Sequence, residues 1–180
     1  MLISKLKEKH QEIMKLPALY IETSVFGFYY DKKVENKNKR KATIILFNQI
    51  GGKLFRAYYS PVTLAEIQKT HNLNLREKLL NLITHYNIQE LKVTSELLKD
   101  AEVISTTLIK NHIIPEEKKD DALHFALATL CPEIDYLVTW NCRHIANEIT
   151  FRRVKVALLS MGYDVKFDVT TPEEVIYYEE

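Results

Sequence analysis

The chain has 180 residues, enough for one domain with a full core, and 46% of them are hydrophobic and 27% charged. This composition is typical of a globular protein and excludes a disordered one. The formal net charge of +1 says little about partners, and two cysteines are too few for a disulfide framework. No signal-peptide pattern and no apolar run long enough for a membrane span occurs in the sequence. We therefore predict one cytoplasmic domain over residues 1–180, with no membrane partner.

Short apolar runs alternate along the chain with longer segments whose apolar residues recur at helical spacing. The first half predicts, in chain order, an amphipathic lead-in over 1–16, a strand over 18–21, a helix over 39–50, a strand over 53–59 and a helix from Pro61. The second half predicts a helix over 74–85, a strand over 88–93, helices from Thr94 and over 118–130, a strand over 135–139, a helix over 151–161 and a capping box at 171–174. Apolar strands alternating with helices indicate an α/β fold with a parallel sheet.

Four polar positions fall where such sheets bind ligands, at the carboxyl ends of strands or in the helices that follow them. These positions are Glu22, Glu66, Asp121 and Asn141. Taken singly, Asp121 could cap a helix and Glu66 could be a solvated helix residue, but Glu22 follows a buried strand and its charge needs a partner. Carboxylates held together raise one another's pKa and destabilise the fold unless a cation is bound. We therefore predict a Mg²⁺ or Mn²⁺ site, because both ions prefer hard oxygen ligands.

Two histidines favour a different metal as an alternative. His124 lies three residues after Asp121, and His144 lies three residues after Asn141 with Cys142 between them. Ligands of this kind suit zinc or iron. The simpler interpretation makes His124 a hydrogen-bonded helix residue that supports the acidic site, while His144 caps a helix or contacts RNA. In that interpretation Cys131 and Cys142 are both buried small residues.

The strongest local charge is a basic run from Lys32 to Lys41 that contains one acid, Glu35. It is either a solvated loop leading into a helix or a patch that attracts phosphates. For the second interpretation the predicted RNA-binding residues are Lys32, Lys33, Lys39, Arg40 and Lys41. Nearby aromatic side chains could stack on bases, belong to the core or face a partner protein. They are Phe26, Phe28, Tyr29, Tyr30 and Trp140.

Four segments, in this order and spacing, resemble the motifs of PIN-domain proteins. They are LYIETSVFGFYYD, YYSPVTLAEI, DDALHFALAT and DYLVTWNCRHIAN, and the likeness covers the chain from about Ala18 to Asn147. It is greatest to the bacterial group related to the toxins of type II toxin–antitoxin pairs. The resemblance implies a three-layer α/β/α fold with a central parallel sheet of four to five strands. It also implies a metal-dependent endoribonuclease, with an antitoxin or a second copy of the chain as a partner.

The resemblance assigns roles to individual positions. Glu22, Glu66, Asp121 and Asn141 take the places of the first to fourth catalytic acids, and the first three are the implied metal ligands. Ser24 matches a hydroxyl near the metal, and Asp120 is an extra acid that substitutes for or assists the third.

Two departures from the family pattern favour a further alternative. The first acid is usually Asp and here is Glu22, and the fourth is usually Asp and here is Asn141. A catalytically weakened domain that binds RNA or protein would tolerate both changes. A metal-dependent phosphatase or a nuclease acting on DNA is a third hypothesis.

Overall fold

Five parallel strands form the centre of the fold. They are β1 Ala18–Ile21, β2 Arg56–Tyr59, β3 Gln89–Glu90, β4 Tyr136–Val138 and β5 Asp168–Thr170. The computed structural model describes residues 16–178, and in it the strands lie in the order β3-β2-β1-β4-β5. Tyr20 of β1 is in register with Tyr58 of β2 on one side and Leu137 of β4 on the other. The central strand β1 is therefore paired along both edges.

Eight α-helices cover the sheet within residues 16–178. They are α1 Thr23–Tyr30, α2 Lys37–Gly51, α3 Pro61–Gln68, α4 Leu73–His85, α5 Ser95–Lys110, α6 Lys119–Leu130, α7 Glu148–Ser160 and α8 Pro172–Val175. Short 3₁₀ turns at Val34–Asn36 and Glu116–Lys118 precede α2 and α6. Ser60 caps α3 by accepting a hydrogen bond from Thr63 N at 3.1 Å, and Thr171 begins α8 with a capping box. None of the described helices is long and apolar enough to cross a membrane.

The core lies in two layers, one on each face of the sheet. Tyr20 points into a layer built by α5, α6 and α7, whereas Leu19 and Ile21 point into a layer built by α1, α2 and α4. All four residues of β1 are completely buried. Alternate side chains of one strand enter opposite layers, which explains why β1 is apolar at every position. The predicted three-layer α/β/α architecture with a parallel sheet is confirmed.

Three elements differ from the sequence prediction. Helix α1 was not predicted, because its segment has Gly27 and many aromatic and β-branched residues of low helix propensity. Its buried Val25 and Phe26 override that propensity by packing into the core. The edge strand β5 was also missed, since its three residues include no apolar run, and the opposite edge strand β3 pairs over only two residues. The predicted lead-in over 1–16 lies outside the described residues, except for Leu16.

Candidate metal centre

The carboxyl ends of β1 and β4 meet beside the start of α6, and an open cleft of about 530 Å³ lies above them. Glu22 directly follows β1, and its backbone N–H donates to Val138 O of β4 at 3.0 Å. The cleft is lined by Glu22, Thr23, Ser24, Glu66, Lys118, Asp121, Asn141, Arg143 and His144. The structure thus brings the four predicted positions together, from β1, α3, α6 and the loop after β4.

Glu22 is buried at the floor of the cleft and is held by hydroxyl groups. Its Oε2 accepts hydrogen bonds from Ser24 Oγ and from Thr139 Oγ1, the latter at 2.7 Å. Ser24 Oγ in turn accepts from Trp140 N at 2.9 Å, so the loop after β4 fixes the serine. These donors orient the carboxylate but carry no charge. The nearest cationic side chain is His124, whose Nε2 lies 3.9 Å from Glu22 Oε1 without forming a hydrogen bond.

Glu66 of α3 has a cationic partner instead. Its Oε2 accepts hydrogen bonds from Thr23 Oγ1 and from His124 Nε2, the latter at 2.9 Å. Burial raises the pKa of Glu66, but the hydrogen bond and the charge of His124 outweigh burial and lower the pKa below its ordinary value. Glu66 therefore remains ionised close to a buried imidazole.

His124 is completely buried beneath the cleft and completes a hydrogen-bonded chain. Its Nδ1 lies 2.6 Å from the hydroxyl of Tyr20, which donates to Ser60 Oγ at 2.6 Å. Burial lowers the pKa of His124, but the bond to Glu66 and the charges of the surrounding carboxylates raise the pKa above 6.5. The expectation that His124 is a hydrogen-bonded helix residue beside the acids agrees with these contacts.

Asp121 and Asn141 form the other side of the cleft. Asn141 Nδ2 donates to Asp121 Oδ2 at 3.1 Å, while Asn141 Oδ1 accepts from His144 N at 3.2 Å. Burial is the largest cause of the raised pKa of Asp121, and the charge of Glu22 raises it further. The side-chain oxygen of Asn141 accepts a hydrogen bond from the backbone of the loop, and its side-chain nitrogen donates to a carboxylate. The amide of Asn141 therefore positions Asp121.

The three carboxylates fit a hard cation in one specific respect. Each has one oxygen held by protein donors, and within residues 16–178 the second oxygen of each accepts no hydrogen bond. Ligand atoms of Glu22, Glu66 and His124 all lie within 4.8 Å of one another. Asp121 lines the same cleft but is not in that group. The group thus offers two carboxylates and an imidazole nitrogen that is hydrogen-bonded to Glu66, and it could hold a metal ion.

The alternative of a zinc or iron site with Asp, His and Cys ligands is not assembled in the described residues. Cys142 is exposed and does not line the cleft, so the expectation that it is buried was wrong, whereas Cys131 is buried. Cys142 lies in the turn after β4, where its backbone N–H bonds to Trp140 O and its side chain faces solvent. His144 lines the cleft, and its backbone N–H is held by Asn141.

Asp120, predicted as an extra acid, lies outside the cleft. It forms a surface ion pair with Lys69, with Nζ and Oδ2 3.2 Å apart. Neighbouring residues on a helix point about 100° apart, so the burial of Asp121 turns Asp120 away from the site. The structure therefore gives no support to a role for Asp120 in assisting Asp121.

None of the five basic residues predicted to bind RNA lines the cleft. The Lys39 ammonium lies over the rings of Phe28 and Trp140, at 5.2 and 5.3 Å from their centroids. Arg40 Nε donates to the carbonyl oxygen of Tyr29 at 3.2 Å, at the end of α1. Lys32, Lys33 and Lys41 are exposed. Two of the five are thus engaged by the protein.

Two of the five candidate stacking residues belong to the core. Phe26 packs edge-on against Phe47, and Trp140 donates from Nε1 to Thr43 Oγ1 at 2.8 Å. Both are buried, so base stacking by them is excluded and the core interpretation is confirmed. Phe28, Tyr29 and Tyr30 are half-buried along α1.

Several cleft residues escaped the sequence reasoning. Thr23 and Thr139 hold the carboxylates, and Lys118 and Arg143 bring positive charge to the rim. Thr139 ends the predicted fourth strand, and its position opposite Glu22 in a parallel sheet was the available signal.

No protein-family model matches the chain, and a search of curated proteins finds no significant match. The fold and site define an α/β protein with an acidic cleft at the carboxyl ends of its strands.

Proposed function

We propose that this protein is a metal-dependent endoribonuclease of the PIN type. One observation carries the proposal: three carboxylates from separate elements converge in one cleft, each with one oxygen held and one oxygen open. Among the described residues no Lys or Arg pairs with any of the three, and one imidazole, that of His124, is the cationic group for both Glu66 and Glu22. Carboxylates that serve only stability are normally paired when they are buried. This set instead has the composition of a divalent-cation site.

The proposed roles follow from the contacts. Glu22 and Glu66 would hold Mg²⁺ or Mn²⁺, with Asp121 across the cleft as the third acid. When bound, such an ion supplies Lewis-acid activation of a phosphodiester and favours deprotonation of water. Ser24 and Thr139 orient Glu22, and Asn141 orients Asp121.

The rim of the cleft supplies the charge that a phosphodiester substrate needs. Lys118 and Arg143 both line the cleft, one from the turn before α6 and the other from the loop after β4. Positive groups beside an acidic centre attract the flanking phosphates while the acids hold the ion. This combination favours a nucleic-acid substrate over a small phosphate ester, which has no flanking phosphates.

The test is cleavage of a mixed RNA pool by the purified protein in the presence of Mn²⁺. We expect Asp121→Asn to lower the rate roughly 100-fold, equivalent to about 2.7 kcal/mol of transition-state stabilisation. The matched control is Asp120→Asn, which makes the same chemical change one residue earlier and removes only a surface ion pair. Its rate should stay within about twofold of the parent, since exposed pairs contribute little. Equal cleavage by the parent and Asp121→Asn would contradict the site.

The same preparation separates the alternative functions. RNA binding without metal binding, measured by calorimetry, would favour a weakened domain that serves as a binding module. A DNA pool that competes better than RNA would favour a DNA nuclease.

The antitoxin partner and the homodimer implied by the resemblance stay predictions. The free thiols of Cys131 and Cys142 support a cytoplasmic setting, where thiols remain reduced.

A further inference from the structure

A second concavity, here called the side pocket, lies beside the cleft and has a volume of about 680 Å³. It is formed by the last turn of α5, the loop after α5 and the start of α6. Lys118 lines the cleft and Lys119 lines the side pocket. The two linings share no residue, but consecutive Cα atoms are about 3.8 Å apart, so the two concavities lie close to each other, one on each side of this peptide bond.

The side pocket combines an apolar floor with a cationic rim. Ile109, Ile113 and Pro115 supply the apolar surface, while Lys110 and Lys119 supply two ammonium groups. Glu116 is the acid among the lining residues that the structure describes. The volume and the mixture of apolar walls with a few charged groups are those of a site for a small organic group that carries negative charge.

The two lysines are available for a ligand. Both are exposed, and neither forms an ion pair with any residue from 16 to 178. In contrast, Lys39 and Arg40 of the basic run are occupied by aromatic rings and a backbone carbonyl. Apart from Lys118 and Arg143, which line the cleft itself, Lys110 and Lys119 therefore supply positive charge beside the cleft that no described acid pairs.

We propose that the side pocket is a nucleotide subsite for single-stranded RNA, one that receives a base and its phosphate next to the scissile bond. The inference rests on the proposed function, because it takes the acidic cleft as the place of cleavage. The base would lie on Ile109 and Ile113, and the phosphate would contact Lys110 and Lys119. Sites for single strands combine an apolar platform for bases with cations that follow the backbone. A duplex would not present an unstacked base to such a pocket.

The direct test is binding of a fluorescein-labelled RNA of about ten nucleotides, within the usual site size for single strands. EDTA is present throughout, so that binding is measured whether or not the protein cleaves RNA. We expect the double variant Lys110→Ala/Lys119→Ala to raise Kd about tenfold. The slope of log Kd against log salt concentration should fall by about 1.4, or about 0.7 for each lost phosphate contact on a single strand.

The matched control is Lys92→Ala/Lys99→Ala, which removes the same charge from exposed positions elsewhere. Lys99 lies on α5 as Lys110 does, about 16 Å away along the helix axis. A third pair, Lys32→Ala/Lys33→Ala, removes the same charge from the basic run. If the control or the basic-run pair weakens binding as much as the side-pocket pair, the subsite assignment is wrong.

Cleavage kinetics add a second readout in the presence of Mn²⁺. The side-pocket variant should raise KM for the longer RNA about tenfold and leave kcat unchanged, whereas cleavage of a dinucleotide should be unaffected. Cleavage by the parent with an unchanged Kd and KM in the variant would overturn the subsite and leave the proposed function standing. Loss of RNA binding in the variant of a protein that cleaves nothing would support the subsite and contradict the nuclease.

Discussion

The two halves of the cleft hold their carboxylates in opposite ways. On one side Glu66 accepts from the buried His124, and its pKa is lowered. On the other side Glu22 and Asp121 are held by hydroxyl and amide groups, and the pKa of Asp121 is raised by burial and by the charge of Glu22. His124 is hydrogen-bonded to Glu66 alone among the three acids, and its Nε2 lies farther from Glu22, at 3.9 Å from Oε1, so only neutral donors orient the other two. The half without a hydrogen-bonded cation is therefore where a bound ion should stabilise the protein most.

The largest expected effect is on stabilisation by Mn²⁺. At a free concentration near 100 times Kd, the ion should raise the free energy of unfolding of the parent by about 2.7 kcal/mol. Glu22→Gln should lose this gain, because it removes a charge from the half in which no cation is hydrogen-bonded to a carboxylate. Urea denaturation with Mn²⁺ or EDTA measures the difference. Glu148→Gln, an exposed change on α7, is the control that should keep the full gain.

The next effect is a difference in sign between two acid-to-amide substitutions without metal. Glu66→Gln should lower the free energy of unfolding by about 2 kcal/mol, because it leaves the buried His124 without its anionic acceptor. Asp121→Asn should raise the free energy of unfolding by less than about 1 kcal/mol, because it relieves repulsion from Glu22. Both are measured by urea denaturation in EDTA. Two changes of the same sign would show that the halves are electrostatically alike.

The third effect concerns pH. The folded protein holds the proton of His124 more tightly than the unfolded chain does. Burial lowers the pKa of His124, but the bond to Glu66 and the charges of the surrounding carboxylates raise the pKa above 6.5. This contribution is complete below pH 6.5 and is lost as the pH rises through the folded-state pKa. In EDTA, the free energy of unfolding should thus fall with rising pH, by at most about 1.4 kcal/mol per unit. His124→Gln should remove this fall, whereas His71→Gln, in an exposed loop, should retain it.

The smallest effect is expected for a neutral hydrogen-bond partner. Thr139→Val keeps the shape of the side chain but removes the 2.7 Å bond to Glu22 and the 2.9 Å bond that the hydroxyl accepts from Asn141 N. We expect a loss of about 1 kcal/mol in the free energy of unfolding and about a tenfold loss in metal affinity. Thr107→Val is the control, since this hydroxyl bonds only to the helix carbonyl of Val103. Unchanged metal affinity in Thr139→Val would show that Glu22 does not need this hydroxyl for its orientation.

Sequence patterns predicted the elements whose signals are local. Strand β1 is apolar at every position because both of its faces are buried, and the start of α3 is marked by Ser60 followed by Pro61. The edge strand β5 and the helix α1 were missed, since pairing at an edge and packing of aromatic side chains depend on distant residues. Parallel topology also predicted that the four site positions would converge, because carboxyl ends of parallel strands lie at the same edge.

The basic surfaces show why charge density along a sequence is a poor guide to a binding surface. The Lys32–Lys41 run is conspicuous because its cations are close together in the sequence, yet two of its residues predicted to bind RNA contact rings and backbone instead. Lys110 and Lys119 lie on different helices and line one pocket only where α5 and α6 pack. Spatial proximity of this kind cannot be inferred from the spacing of residues along the sequence.

The sequence by itself determined the place of Glu22, because a residue at the end of a buried strand must lie at the edge of the sheet, and parallel topology predicted that the other three polar positions would lie near the same edge. Only the tertiary structure decided what each acid contacts. His124 reaches Tyr20 across 104 positions, and Thr139 reaches Glu22 across 117, so the partners that separate a neutralised acid from a repelled one come from distant elements. Local periodicity encodes burial, whereas hydrogen bonds depend on distances of a few ångströms that exist only after the layers have packed.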